Sequence, residues 1–135
     1  MSDPNCVFCK IVAGEIPSCR VYEDDLCVAF LDLAPFEEGH TLVVPRFHAA
    51  TLLDMPDDLL ARILPSVRNV ARLLREKLPC DGFNVMQNNG ACATQTVPHV
   101  HFHVIPRWNG QTPKWTPGKY VEPGGMQRVQ ARIVG

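Results

Sequence analysis

The hydrophobic pattern divides the chain into five short strands and one long helix. Three apolar runs separated by turn residues predict the first strands, at residues 21–24, 26–31 and 41–44. Apolar residues then recur at i, i+3, i+4 and i+7 over residues 60–78, which predicts a helix with one buried stripe. Two further runs, at residues 82–87 and 97–106, predict the last two strands.

Capping and helix-breaking residues set the expected ends of the helices. Residues 6–12 form a short apolar segment that predicts one or two helical turns. Asp54 is a suitable N-cap for the long helix, and Pro56 would lie in its first turn, where a missing N–H costs nothing. Pro65 interrupts the helical pattern, so we expect the helix to be kinked or split there.

The predicted order is a short helix, three strands, a long helix, two strands and a tail. Strands outnumber helices and do not alternate with them, which indicates an α+β fold with an antiparallel sheet. The tail, residues 108–135, is rich in proline and glycine and closes with an amphipathic segment at residues 126–134. A chain of 135 residues fits one domain.

Composition narrows the class of protein. The 13 basic and 14 acidic residues give a net charge of -1, so there is no basic excess for binding nucleic acid or a membrane surface. No apolar run reaches the ~20 residues of a membrane span. The N-terminal residues lack the basic and apolar regions of a signal peptide. We therefore expect a soluble cytoplasmic protein that binds neither nucleic acid nor membranes.

Three of the five histidines alternate along one predicted strand. Strand periodicity places His99, His101 and His103 on one face, and their apolar neighbours on the other. Three imidazoles in a row are costly in a core and indicate a functional site. They can bind zinc, or a neutral imidazole can act as a nucleophile near neutral pH.

The sequence around this row resembles the histidine-triad (HIT) family of nucleotide hydrolases and transferases. The row and its continuation read His-Val-His-Phe-His-Val-Ile-Pro-Arg over residues 99–107, and the similarity extends over residues 6–107. Further matching segments are Val-Phe-x-Lys-Ile at 7–11, Gly-Glu-Ile-Pro at 14–17, Phe-x-Asp at 30–32, Gly-His-x-Leu-Val-x-Pro at 39–45 and Gln-Thr-Val at 95–97. The resemblance implies a single HIT-like α+β domain of five antiparallel strands with one long and one short helix. It also implies a homodimer in which the sheet continues into the second copy.

The resemblance further implies roles for individual residues. His101 would attack the α-phosphorus of a nucleotide, and His103 would contact the phosphate oxygens and the leaving group. His40 would support the triad, and Asp32 would bind the ribose hydroxyls. The apolar slot for the base would be formed by Val7, Phe8, Ile11, Phe30, Leu33 and Leu42. The loop that contacts the α-phosphate would contribute Asn88, Gln95 and Thr96.

The phosphate loop departs from the family pattern in one place. The loop before Gln95 usually carries glycine in this family, whereas in this chain it reads Ala-Cys-Ala-Thr over residues 91–94 and ends at Thr94. A positive φ at that position would strain a threonine and alter the loop.

A second set of residues has the composition of a zinc site. Cys6 and Cys9 are separated by two residues, and together with His48 and His99 they form a Cys2His2 set. Some bacterial proteins that resemble this sequence bind structural zinc at the matching positions. Four protein ligands would close the metal to substrate, so it would clamp the N-terminal turn onto the sheet. The alternatives are a reduced, packed cysteine pair or a redox pair. No organic cofactor is expected.

These observations support competing functions. The leading hypothesis is a nucleotide hydrolase that releases a nucleoside monophosphate of adenosine or guanosine through a nucleotidyl-histidine. Its substrates would be purine nucleoside phosphoramidates or dinucleoside polyphosphates, since the sequence resembles both branches of the family. The alternatives are a zinc-stabilised nucleotide-binding or scaffold protein with little turnover, and a zinc hydrolase that uses all three triad histidines.

Overall fold

The computed structural model describes residues 2–135, and these form a five-stranded antiparallel sheet with helices packed on it. The strand order is β1-β2-β3-β5-β4. The strands are β1 Arg20–Glu23, β2 Cys27–Leu31, β3 Thr41–Pro45, β4 Gly82–Gln87 and β5 Phe102–Arg107. The helices are α1 Val7–Val12, α2 Asp57–Lys77 and α3 Gly125–Val134. The predicted α+β class with a five-stranded antiparallel sheet is confirmed.

The main core lies between α2 and one face of the sheet. Most of the predicted apolar stripe of the helix is buried, through residues such as Val67, Val70 and Leu74, but Leu64 is 61% exposed. On the sheet side it meets the apolar residues that alternate with the histidines, Val100, Phe102 and Val104. The period-two pattern therefore predicted correctly which side chains of this segment enter the core.

A smaller apolar cluster covers the opposite face of the sheet. There α1 packs Phe8 and Ile11 against Phe30 and Leu42, which are paired across β2 and β3. The same short helix carries Cys9 in its buried side. This arrangement places α1 beside the segment that holds the histidines.

The prediction for the N-cap of α2 is wrong, and at Pro65 one of the two expected outcomes, a split helix, is excluded. The helix begins at Asp57 after Pro56, and Asp54 does not cap it; Asp54 instead completes a capping box with Thr51 at a preceding 3-10 turn. Pro65 does not split the helix, which runs without interruption from Asp57 to Lys77. Because Pro65 is exposed, its missing hydrogen bond lies on the side where water can replace it, and the buried stripe offsets the remaining cost.

The last strand is shorter than predicted. β5 begins at Phe102, whereas residues 97–101 are irregular. Pro98 lacks the N–H that a ladder needs, and the His99 amide turns back to the Val97 carbonyl at 2.8 Å. His99 and His101 are therefore held by local turns, and only His103 lies in the strand.

The tail adds a helix that was predicted only as an amphipathic segment. α3 buries Val129 and Ile133 in the main core, and the Gln130 amide donates to the Arg20 carbonyl at 2.9 Å. The prediction of one long and one short helix is therefore incomplete. Among residues 2–135, none of the helices combines the length and the apolarity needed to cross a bilayer.

Candidate active site and metal centre

The ring orientation of His101 leaves one nitrogen free for chemistry. Its Nδ1 lies 2.7 Å from the His99 carbonyl, which can only accept, so Nδ1 carries the proton and donates. The lone pair is then on Nε2. The Phe8 ring packs edge-on against His101 at 5.0 Å between centroids, which limits the movement of the imidazole. A buried, oriented imidazole with a free Nε2 is suited to act as a nucleophile.

His40 and His103 form a second oriented pair. The Phe36 amide donates to His40 Nδ1 at 2.9 Å, so His40 must carry its proton on Nε2. His40 Nε2 lies 2.9 Å from His103 Nδ1 and donates to it. His103 therefore carries its own proton on Nε2. One backbone amide thus fixes the tautomers of both rings.

Burial keeps these imidazoles neutral. Desolvation lowers the pKa of His40 and of His103 to about 4, well below the ordinary value of 6.5. The Arg107 cation adds to this effect on the pKa of His40. Burial also lowers the pKa of His101, against the opposing influence of Asp32. At neutral pH the site therefore holds neutral rings.

Asp32 both shapes a turn and approaches the histidines. Its Oδ1 accepts the Ala34 N–H at 2.9 Å, and its Oδ2 lies 3.6 Å from His40 Nε2. The aspartate follows β2, where the chain reverses toward β3. The carboxylate is partly exposed, so an oxygen remains accessible beside the triad.

Four of the six residues assigned to the apolar slot lie together. Phe8, Ile11, Phe30 and Leu42 are buried in the smaller cluster beside His101. Val7 and Leu33 lie outside it, and Leu33 is 80% exposed. The structure therefore brings four of the six residues together beside His101.

The loop of residues 88–96 is held by Gln95. Its Oε1 accepts the Gly90 N–H at 2.7 Å, and its Nε2 donates to the Ala50 carbonyl at 2.7 Å. Gln95 is buried, whereas Thr96 is exposed and Asn88 is half-buried. The structure therefore places Gln95 as a brace of this loop. Thr94 has a φ of 69°, the left-handed conformation in which a threonine is strained.

Phe36 contributes to the site but was not singled out from the sequence. Its amide orients His40, and its ring is stacked nearly parallel to His103 with 6.4 Å between centroids. Because the first of these contacts is made by the backbone, any residue type except proline could supply it. No side-chain signal could have identified this position.

The four predicted metal ligands form a compact cluster. Cys6, Cys9, His48 and His99 each offer a ligand atom, and these atoms lie within 4.8 Å of one another. Sulfur–nitrogen distances are 3.3 Å for Cys6–His99 and 3.4 Å for Cys9–His48. Tetrahedral zinc with ordinary bond lengths separates sulfur and nitrogen ligands by about 3.5 Å.

The protonation of His99 also suits a metal. Its Nε2 donates to the Pro45 carbonyl at 2.8 Å, which leaves the Nδ1 lone pair directed at the cysteines. The donor set and its geometry therefore fit zinc. His99 belongs to this cluster and does not share a centre with His101 and His103.

A second group, Asp32, His40 and His103, also has ligand atoms within 4.8 Å of one another. However, the Phe36 amide keeps the proton on His40 Nε2, the atom that faces the other two. A metal there would have to displace that proton. The geometry favours a hydrogen-bonded pair and disfavours the zinc-hydrolase hypothesis.

Comparisons with known proteins agree with this geometry. Residues 13–110 match the HIT domain. An uncharacterized HIT-like protein of Methanocaldococcus jannaschii is 50% identical over 92% of this chain and 91% of its own. An adenosine 5'-monophosphoramidase of Candida albicans is 46% identical over 78% of this chain and 72% of its own. A zinc-bound histidine triad family protein of Mycobacterium smegmatis has a TM-score of 0.83 and 38% identity, covering 96% of this chain and 93% of that one. The chain belongs to the HIT family.

Proposed function

We propose that this protein hydrolyses nucleotides at the α-phosphorus through a covalent intermediate on His101. The observation that carries the proposal is the hydrogen bond from His101 Nδ1 to the His99 carbonyl, which leaves the Nε2 lone pair free. A neutral imidazole is a competent nucleophile at neutral pH. Family membership supports the same chemistry.

The reaction has two displacement steps. In the first, the Nε2 lone pair of His101 forms a bond to phosphorus, and the bond to the leaving group breaks. The leaving nitrogen or oxygen keeps the electron pair and takes a proton from water. In the second, water attacks phosphorus, the P–N bond breaks, and its electron pair returns to Nε2. The extra proton goes to solvent, and the nucleoside monophosphate is released.

The neighbouring groups stabilise charge in both steps. The imidazole of the intermediate is cationic, and the His99 carbonyl stabilises its Nδ1–H. His103 retains an Nε2–H, which would donate to a phosphoryl oxygen while His40 holds the ring in place. Asp32 would accept the ribose hydroxyls, and the cluster around Phe8 and Phe30 would hold the base.

We assign phosphoramidates as the first substrate class to test. The support is the 46% identity to an adenosine 5'-monophosphoramidase, together with residues 8–11 and 14–17, which resemble that branch of the family. Dinucleoside polyphosphates are the second class, because residues 95–97 and 105–107 resemble that branch of the family. Adenosine and guanosine forms of each substrate should be compared, because the preferred purine base is also open.

We further propose that zinc occupies the Cys6, Cys9, His48 and His99 cluster. When bound, it would supply a cross-link between α1 and the segment that precedes β5. The cysteines lie at the start and within α1, and His99 lies two residues before the nucleophile. The support is the ligand geometry and the zinc-bound relative.

We also propose a homodimer that forms through β4. This strand is at the edge of the sheet, with unpaired backbone groups on its outer side. Phe83 and Val85 are 42% and 46% exposed, and both lie on the face that carries α2, since Val85 is paired with the buried Val104. A second copy aligned with this edge would bury them and extend the sheet.

The test of the function is AMP release from adenosine 5′-phosphoramidate and from a diadenosine polyphosphate. We expect the wild-type protein to release AMP from at least one of them, and His101→Ala to lose about 10³-fold or more of that activity. If both proteins bind AMP but neither turns over either substrate, the binding-protein alternative replaces the enzyme. The preferred substrate identifies the branch.

A further inference from the structure

The C-terminal tail crosses the loop that holds His40. We call residues 114–120 the tail strap. At its start, Arg107 Nη2 donates to the Lys114 carbonyl at 2.7 Å, and the Arg107 guanidinium lies 4.8 Å from the centre of the Trp115 ring. At its end, the chain continues into α3, which is anchored in the main core. The strap is thus fixed on both sides of the loop that it crosses.

Two hydrogen bonds join the strap to the loop of residues 35–40. The Gly118 N–H donates to the Pro35 carbonyl at 2.8 Å, and the Gly39 N–H donates to the Tyr120 hydroxyl at 3.0 Å. Pro35 and Gly39 are buried, so their backbone groups depend on these partners. The strap therefore holds the loop at its two ends.

The inner side of the same loop sets the tautomer of His40 and packs against His103. Between the two strap contacts lies Phe36, whose amide fixes the tautomer of His40 and whose ring is stacked on His103. Gly39 has a φ of +91°, and a Cβ there would lie 2.5 Å from Leu78 Cδ1. The loop thus has a tightly defined path immediately before His40.

We propose that Tyr120 is a positioning residue for the His40–His103 pair. Its hydroxyl holds Gly39, and through the loop it keeps the Phe36 amide on His40 Nδ1, so that both rings present their protons on Nε2. This inference rests on the proposed function for its kinetic consequence. The effect of Tyr120 on the tautomers of His40 and His103 can be measured without turnover.

A purely structural role for the strap predicts a different outcome. Residues 114–119 of the strap are exposed, and the half-buried Tyr120 packs its ring against the main core, a contact that phenylalanine would keep. Loss of one hydrogen bond from the strap should therefore change the loop and the histidines more than the stability of the whole fold.

The test compares Tyr120→Phe with Tyr22→Phe. Tyr22 is the other tyrosine of the chain, and its hydroxyl also makes part-buried hydrogen bonds, donating to Asp24 and accepting from Asn69, neither of which belongs to the loop. Imidazole ¹⁵N spectra distinguish protonated from unprotonated nitrogens in each ring. In Tyr120→Phe we expect the ¹⁵N chemical shifts of His40 Nδ1 and Nε2 to move toward each other, as for a ring that exchanges between its two tautomers. In Tyr22→Phe we expect both shifts to stay unchanged.

Kinetics give the second readout. We expect kcat of Tyr120→Phe to fall about threefold to tenfold, the equivalent of one neutral hydrogen bond, with KM within about twofold of wild type. If the imidazole shifts of Tyr120→Phe match those of wild type, or if Tyr22→Phe changes them equally, the proposal is overturned. If wild type has no turnover, the proposed function fails, and the imidazole spectra still decide the role of Tyr120.

A second variant tests the strap without altering Tyr120. A Cβ on Gly118 would lie 2.9 Å from the Pro35 carbonyl oxygen, so Gly118→Ala must displace the strap from the loop. We expect the same direction of change in the His40 spectrum as for Tyr120→Phe. An unchanged His40 spectrum in a folded Gly118→Ala protein would contradict the proposal.

Discussion

His99 joins the candidate metal cluster to His101, the proposed nucleophile, through a single residue. Its ring nitrogen lies 3.3 Å from Cys6 Sγ, while its backbone carbonyl accepts the Nδ1–H of His101 at 2.7 Å. A displacement of the His99 ring therefore also moves the carbonyl that orients His101. The metal cluster and the proposed chemistry are coupled over two residues of chain.

Loss of a cysteine ligand should remove zinc and destabilise the fold. We expect the purified protein to contain one zinc per chain, and Cys9→Ala to lose it. The melting temperature should fall by about 10 °C, as for about 3 kcal/mol in a domain of this size. The matched control is Cys92→Ala, because Cys92 is exposed and outside the cluster. Equal zinc content and melting temperature in all three proteins would contradict the assignment.

Buried neutral histidines should make the protein sensitive to acid. The pKa of His40 is lowered to about 4, whereas the unfolded chain has the ordinary value near 6.5. Between these values the unfolded state binds more protons, so stability is lost as pH falls from 6.5 toward 4. His40→Gln removes the proton uptake by this histidine. Between pH 7 and pH 5 its free energy of unfolding, measured by urea unfolding, should therefore fall by about 2 kcal/mol less than that of wild type. Equal losses in both proteins would show that burial does not keep His40 neutral.

The strained loop residue offers a stabilising substitution. Thr94 has a φ of 69°, where a β-branched side chain is crowded and glycine is not. Thr94→Gly should raise the free energy of unfolding by about 1 kcal/mol, measured by chemical denaturation. Thr116→Gly is the control, since Thr116 is exposed and has no positive φ, and it should not stabilise. A destabilised Thr94→Gly protein would mean that the threonine makes compensating contacts.

The proposed dimer can be disrupted at its edge strand. A charge at Val85 would oppose burial of β4 against a second copy. We expect Val85→Asp to reduce the mass in sedimentation equilibrium from twice the 15.0 kDa chain mass to the chain mass itself. Val121→Asp places the same charge on an exposed valine of the tail and should remain dimeric. A wild-type protein that sediments as a monomer would contradict the dimer directly.

The sequence alone predicted those helices and strands whose buried side chains recur at a regular spacing. The stripe of α2 and the alternation at Val100, Phe102 and Val104 follow from which side chains must leave water, and both are confirmed apart from the exposed Leu64. The cluster of Cys6, Cys9, His48 and His99 was also predicted, and the structure brings all four together.

Features that depend on backbone contacts between distant segments were not predicted. The Phe36 amide orients His40 without any side-chain signal, and the Tyr120 hydroxyl meets Gly39 from a tail that reads as irregular. Local signals also misled where tertiary packing prevailed. Pro65 is tolerated on the exposed face of α2, and β5 begins only at Phe102, although the apolar alternation starts at Val97.

In the proposed reaction His101 Nε2 bonds to phosphorus, and the most direct measurement is to trap that bond. Wild-type protein would be mixed with adenosine 5′-phosphoramidate and quenched in alkali, because a phosphorus–imidazole bond is labile in acid. Peptide mass spectrometry would then locate the added nucleotide. We predict an adenylyl group on His101 in wild type and none in His101→Ala. AMP release by wild type with an adenylyl group on another residue, or by His101→Ala at the wild-type rate, would contradict the account.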